Sequence, residues 1–373
     1  MNHGPRPVTV IVEPDPGGHR FQAVANAAIV AARTTDVVLL TSTIGAGHDA
    51  FDVFLSDLDL TVEPRFDVIH PATQEMVNVV ADLCRTHDVE TVVVMDADQS
   101  LKRWWYLARR AFRGLARKPR VVFFLTRYPA KLGLTDRTGW KLRLAKGALV
   151  IAARATGTLH HVAGFAGRDD MSRGWLVKRA RDPEICLAHS RDRARLRKEL
   201  DLPQDRTIAG VFGVIEERRN APMILDALDD AGLEADLLLA GGVQPEVWAW
   251  LDGLPDERRR RVIVRDGFLP NDVMDQLVAA VDVAPIILTN NGPSGIMGKA
   301  HAAGVPVVTA GSEVRAREIR ATDGGEAADL DVASIGAAIR KVLERDPDEP
   351  RHNTVPPATA EAFAEVLLGV KTR

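Results

Sequence analysis

The chain has 373 residues, 46% of them hydrophobic and 27% charged, a composition that supports two buried cores and excludes a disordered chain. A formal net charge of −3 and a pI near 6.4 give no reason to expect a nucleic-acid partner. The two cysteines, Cys84 and Cys186, are too few for a disulfide framework and stand in no zinc-ligand cluster.

The amino end has no secretion-signal pattern. Apolar runs elsewhere are broken by Gly, Pro or charge before reaching membrane-spanning length, so a cytoplasmic protein without an integral membrane segment is expected. Basic groups concentrate in Lys102–Arg120, Arg173–Arg181 and Arg191–Lys198. The run Trp175–Arg181 reads as surface at a domain junction, with transient contact to membrane phosphates or to a negatively charged substrate as the second reading.

In chain order, Val8–Val12 predicts a buried strand, Glu13–Gly18 a turn, and the Ala-rich stretch through Ala32 a helix. Further strands are predicted at Val37–Thr41, Thr91–Met95 and Val121–Leu125, with amphipathic helices at Ala72–Cys84 and Leu101–Arg117. That alternation predicts a parallel α/β sheet whose strands end at a common mouth. A helix follows at Thr138–Ile151, and the domain change falls at Arg179–Asp182. The first domain is therefore residues 1–180. Residues 181–345 repeat the pattern, with strands at Ile208–Val211, Ala235–Ala240, Arg261–Val264 and Asp282–Leu288 and helices at Ala221–Ala231, Asp272–Ala280 and Asp331–Leu343. Residues 346–373 form a linker and a last helix at Ala358–Leu368.

Three places carry possible chemistry. Asn290-Asn291-Gly292-Pro293-Ser294-Gly295 sits between the apolar Val281–Leu288 and a helical stretch, where first-turn N–H groups can hold an anion, with an ordinary connection as the alternative. Arg218 and Arg219 follow the strand ending in Gly210-Val211-Phe212-Gly213; they suit a diphosphate clamp, and surface pairing with Glu216 or Glu217 is the alternative. Gly17-Gly18-His19 forms a turn whose glycines admit a phosphate or sugar, with His19 placed to hydrogen-bond or move a proton, or else an ordinary connection. No G-x-G-x-x-G fingerprint is present. On the acceptor side, His70 follows Phe66-Asp67-Val68-Ile69 and is placed to approach an acceptor, while Asp96 and Asp98 end a predicted strand and either orient hydroxyls or cap the next helix. Trp104, Trp105 and Tyr106 read as packing.

These segments together resemble the retaining GT-B glycosyltransferases of the glycosyltransferase 4 type. Gly210–Asn220 resembles that family's basic diphosphate segment, Gly267-Phe268-Leu269-Pro270 its nucleotide-facing loop, Asn291–Ala300 its donor-binding strand-to-helix segment, and Gly17-Gly18-His19 the loop near the donor sugar. The resemblance implies an α/β fold of GT-B architecture. In it two Rossmann-like domains face a cleft, the nucleotide sugar lies mainly on the second, the acceptor mainly on the first, and the terminal helix returns to the first.

The implied reaction moves a hexosyl group from a nucleoside-diphosphate sugar to a small hydroxylated acceptor, with no metal and no cofactor beyond the donor itself. Arg219, Arg218 and His19 form the implied catalytic group. Gly17, Gly18, Gly213, Phe268, Leu269, Asn291, Gly292, Pro293, Ser294, Gly295 and Lys299 form the donor surface. The chain departs from the family at Asn291 and Lys299, where a pair of acids is usual, and at Val214, near the place of a first basic residue. A nucleotide-sugar epimerase and a regulatory protein that binds nucleotide or sugar phosphate without catalysis remain the alternative readings.

Overall fold

The computed structural model describes residues 6–18, 20–128, 137–290, 294–346 and 352–370. His19, Asn291, Gly292 and Pro293, each expected in a binding turn, lie outside the described residues. The chain divides into two compact units. One comprises Met1–Ala166, Asp170–Arg181 and Thr359–Arg373, the other Gly167–Asp169 and Asp182–Ala358.

The first unit is built on a seven-stranded sheet of β1 (Val8–Val12), β2 (Asp36–Ser42), β3 (Thr61–Phe66), β4 (Val89–Val94), β5 (Arg120–Leu125), β6 (His161–Ala166) and β7 (Lys178–Arg181), in the order β3-β2-β1-β4-β5-β6-β7. Every pairing is parallel. The central strands are Val-rich and buried throughout, as a parallel sheet covered on both faces requires. Helices Thr73–Thr86, Leu101–Ala111 and Arg137–Ala155 cover one face, where Trp104 packs edge-on against Phe123 at 5.1 Å and donates its indole N–H to the Thr158 carbonyl at 2.9 Å. Trp104 is thus a core residue. Helix Arg20–Ala31 covers the other face together with Ala360–Leu368, from the far end of the sequence. Phe363 of that last helix stands edge-on to Phe124 at 5.5 Å, and the His161 ring donates to the Val366 carbonyl at 2.7 Å.

The second unit holds two three-stranded parallel sheets. One orders β8 (Thr207–Phe212), β9 (Ala235–Gly241) and β10 (Val262–Asp266) as β10-β9-β8, and the other runs β11 (Ala284–Ile287), β12 (Val307–Ala310), β13 (Gly325–Ala328). A parallel bridge between Ala209 and Val283 sets β8 beside the segment entering β11. In both units the strand order reverses once, between β1 and β4 and between β8 and β11. Connections leaving adjacent strands in opposite directions open a crevice at their carboxyl ends. Glu13–Gly18 and Asp96–Asp98 leave the first such point, and Gly213–Arg219 and Leu288–Asn290 leave the second.

Among the described residues no helix is long and apolar enough to cross a membrane. Phe363 is 2% exposed, so Phe363→Ala is expected to destabilise the first unit by about 3–5 kcal/mol. Exposed Leu144 provides the control, and Leu144→Ala is expected to change stability by less than about 0.5 kcal/mol. Urea unfolding followed by circular dichroism checks both.

Candidate functional site

In the second unit, β8 and β9 end on glycines whose backbones meet. Gly213 has φ 93° and Gly241 φ 129°, a Cβ on Gly241 would collide with the Gly213 carbonyl, and the Gly213 N–H donates to Ala240 at 2.9 Å. Only glycine accepts both the left-handed backbone and the approach. The chain then turns through Glu217–Arg219 to Asn220, itself at φ 53°. The Asn220 amide donates to the Ile287 carbonyl at 2.9 Å, tying this turn to the end of β11.

The structure separates the two arginines of this turn. Arg218 is exposed and pairs with Glu216 at 2.5 Å. Arg219 is half-buried and lies over Gly213, its Nε donating to the Val214 carbonyl at 3.1 Å. Among the described residues no carboxylate comes within ion-pair distance of it. Burial draws its pKa down, and the neighbouring Arg218 cation draws it down further.

A second guanidinium converges here from far along the chain. Arg315, on helix Glu313–Thr322, is 1% exposed and donates to the carbonyls of Leu288 and Asn290, the latter at 2.9 Å, and to the Asn290 side chain at 3.1 Å. Burial lowers its pKa to about 10, with Glu318 opposing the shift and Arg219 adding to it. On the other side of the turn, Ser294 caps helix Gly295–Ala302 by accepting the Met297 N–H at 3.4 Å. The Ser294 carbonyl accepts from Arg168 at 3.1 Å. Arg168 is fully buried between Asp182 and Glu318, the latter at 2.7 Å, and lies against Gly298, where a Cβ would collide with the guanidinium. Burial works against its charge, and the two carboxylates outweigh burial and raise its pKa.

Lys299, expected on the donor surface, is engaged inside the unit. Its ammonium is buried in an ion pair with Asp275 and donates to the Asn271 side chain at 2.7 Å, while Asp275 also accepts the Leu187 N–H at 2.8 Å. A lysine so held neutralises Asp275 inside the unit and offers no charge to a phosphate. In the loop after β10, Gly267 has φ 115° and Phe268 is 54% exposed, whereas Leu269 packs into the core beside it. The two hydrophobic residues of that loop therefore differ in what they offer a ligand.

In the first unit, the Gly17–Gly18 turn rests on a cluster of acids around one arginine. The Gly17 N–H donates to Asp15 at 2.8 Å, and Gly18 has φ 64°. Arg20, opening the next helix, reaches Asp96 at 2.6 Å, Asp15 at 3.4 Å and Glu13 at 3.6 Å. The Thr126 hydroxyl donates to Asp96 at 2.7 Å and has Asp98 at 3.2 Å; Asp98 also accepts the Arg127 N–H at 3.0 Å and pairs with Lys146. Neither aspartate caps helix Leu101–Ala111, whose N-cap Ser100 makes no side-chain cap. For Asp96, burial alone would raise the pKa, but the Thr126 hydrogen bond and Arg20 hold it below the usual range. His70 is exposed on the loop after β3 and is not joined to this cluster by a hydrogen bond or ion pair. Glu13, Arg20, Arg168, Asp275 and Arg315 were not singled out by the sequence reading. Gly298 carries a signal for one of them, since a glycine inside a helix costs stability unless something must approach closely.

Glu13 is 1% exposed. Burial raises its pKa from 4.5 to about 8, despite Arg20. The folded carboxyl thus keeps its proton up to about pH 8, whereas the unfolded one loses it near 4.5. Unfolding releases a proton in that window, and this group's contribution to stability falls as pH rises through it. Glu13→Gln is expected to match the native protein in urea midpoint at pH 5 and exceed it at pH 8. Equal differences at the two pH values would contradict the assignment.

No family model and no curated protein matches the sequence. Solved structures do match. The chain is similar to HepE of Anabaena in complex with UDP, with TM-score 0.61 and 15% identity over 97% of this chain and 95% of that one. It is similar to a sucrose-phosphate synthase from Thermosynechococcus elongatus, with TM-score 0.59 and 14% identity over 98% and 95%. It is similar also to WaaG, a glycosyltransferase involved in lipopolysaccharide biosynthesis, with TM-score 0.56 and 17% identity over 97% and 94%. Likeness at these identities is likeness of fold, and the α/β chain, with its two Rossmann-like units, has the GT-B fold.

Proposed function

We propose that the protein is a cytoplasmic glycosyltransferase that moves a sugar from a nucleoside-diphosphate donor to a small hydroxylated acceptor with retention at the anomeric carbon. The reading rests on Arg219, a half-buried guanidinium at the carboxyl end of β8 with no carboxylate partner among the described residues, lying over a glycine whose missing side chain leaves room for the guanidinium itself. When the bond between the sugar and the diphosphate breaks, negative charge grows on the leaving phosphate. A preorganised cation at that point lowers the barrier because it needs no rearrangement to meet the charge. Arg315 adds positive potential and holds the Leu288–Asn290 backbone. The first turn of helix Gly295–Ala302 supplies N–H donors beyond that of Met297, which Ser294 already engages.

In this reading Gly213, Ser294, Gly295 and Phe268 border the donor, together with Asn291, Gly292 and Pro293. The turn at Gly17, Gly18 and His19 meets the sugar, with Asp96, Asp98 and His70 on the acceptor side. Arg218 has a lesser part because Glu216 neutralises it, and Lys299 has none. The HepE structures hold UDP and UDP-glucose, which supports a nucleoside diphosphate as the donor's leaving group. A second reading, a nucleotide-sugar binder without catalysis, is favoured by the Lys299–Asp275 pair, which stands where the family resemblance leads one to look for a free acid.

Arg219→Ala is expected to lower kcat/KM for sugar transfer by about 100- to 1,000-fold, and Arg218→Ala by less than about threefold, since an exposed paired charge contributes little. Steady-state assays over a panel of nucleotide sugars check this. Equal losses in the two variants would contradict the assignment of the clamp to Arg219.

A further inference from the structure

The first unit carries a surface that this reaction does not use. Residues 101–166, all in the first unit, contain 15 Lys and Arg against a single acid, Asp136, in a chain whose net charge is −3. The rest of the molecule is therefore strongly acidic, and the positive charge is gathered on one stretch. Two of its helices, Leu101–Ala111 and Arg137–Ala155, contain no acid and pack together on the same face of the seven-stranded sheet.

Helix Arg137–Ala155 turns an unusual set of residues inward. Its buried positions are Gly139, Gly147, Val150 and Ala153, while Leu144 is 69% and Ile151 53% exposed. A surface helix ordinarily buries its large apolar side chains and exposes its polar ones. Here large apolar groups face outward among the exposed Arg137 and Lys141. Leu176 packs on this helix at Gly147, and its neighbour Trp175 is 87% exposed.

We infer that this face docks on an anionic phospholipid surface. The basic side chains meet the headgroup phosphates, and Leu144, Ile151 and Trp175 enter the boundary with the acyl chains. Charge complementarity selects this occupant. The face is positive with no opposing acid on either helix, as a polybasic lipid-binding surface requires. It also interleaves leucine, isoleucine and tryptophan with that charge, as interfacial helices do. A nucleic acid would use the cations, but it offers no acyl phase to an isoleucine and a leucine.

The test is sedimentation of the full chain with vesicles of phosphatidylglycerol and phosphatidylcholine, with phosphatidylcholine alone, and with a single-stranded RNA oligonucleotide as competitor. The protein is expected to bind the mixed vesicles and to bind phosphatidylcholine alone at least about tenfold more weakly. Leu144→Asp and Trp175→Ala are each expected to weaken vesicle binding by about tenfold while leaving the thermal melt unchanged, since both side chains are exposed. Trp175 gives an independent readout: fluorescence is expected to shift to the blue with mixed vesicles in the native protein, with the shift much reduced in Trp175→Ala. Failure to bind the mixed vesicles, equal binding to both lipid compositions, unchanged binding by both variants, or displacement by RNA at equal affinity would each overturn the inference.

Discussion

The geometry of the second unit depends on one buried guanidinium. Arg168 lies 0% exposed between Asp182 and Glu318 and holds the carbonyl of Ser294, the residue that starts helix Gly295–Ala302. Removing a charge of this size from water is costly. It is tolerated only because two carboxylates and two backbone carbonyls, those of Ser294 and Pro183, receive it. Gly298 is the complementary condition, since any side chain there would occupy the space of the guanidinium. The interaction fixes where the helix begins, and hence where its first-turn N–H groups lie relative to the ends of β8 and β11.

The two crevices differ in charge, and the difference follows from what each arginine is given as partners. Arg168 and Lys299 in the second unit are matched by acids, Asp182 with Glu318 and Asp275, and so contribute structure. Arg219 is held by a backbone carbonyl, and its charge is met by no acid among the described residues. In the first unit the ratio is reversed, with Glu13, Asp15 and Asp96 gathered on Arg20 and Glu13 holding its proton through neutral pH. A positive crevice suits a diphosphate. An acid-lined one suits hydroxyl groups that donate hydrogen bonds.

How much of this was legible in the sequence depended on how local each cause is. Central strands such as Val8–Val12 and Arg120–Leu125 announce themselves because both faces are buried and the residues run apolar. Three of the edge strands do not. Thr61–Phe66 carries Pro64, Lys178–Arg181 is mostly cationic, and Gly325–Ala328 is short, with one charge and no large apolar residue, features that edge strands tolerate. Arg219 and the segment before Gly295 draw notice because each sits next to its strand in sequence. Arg168 could not, since its partners Ser294 and Glu318 are 126 and 150 residues away and its own surroundings read as a charged loop. The Lys299 pairing was hidden for the same reason, because Asp275 lies on another helix and nothing beside Lys299 in sequence reveals that its charge is already met.

The central claim is that a nucleotide sugar is consumed by transfer. The most direct measurement is mass spectrometry of products after incubation with a panel of nucleotide sugars and a pool of small hydroxylated acceptors, recording donor loss and acceptor mass together. The account predicts a new acceptor mass larger by one glycosyl unit with an equal amount of free nucleoside diphosphate. Donor binding without any such product across the panel would contradict it and leave a binding protein on the same fold.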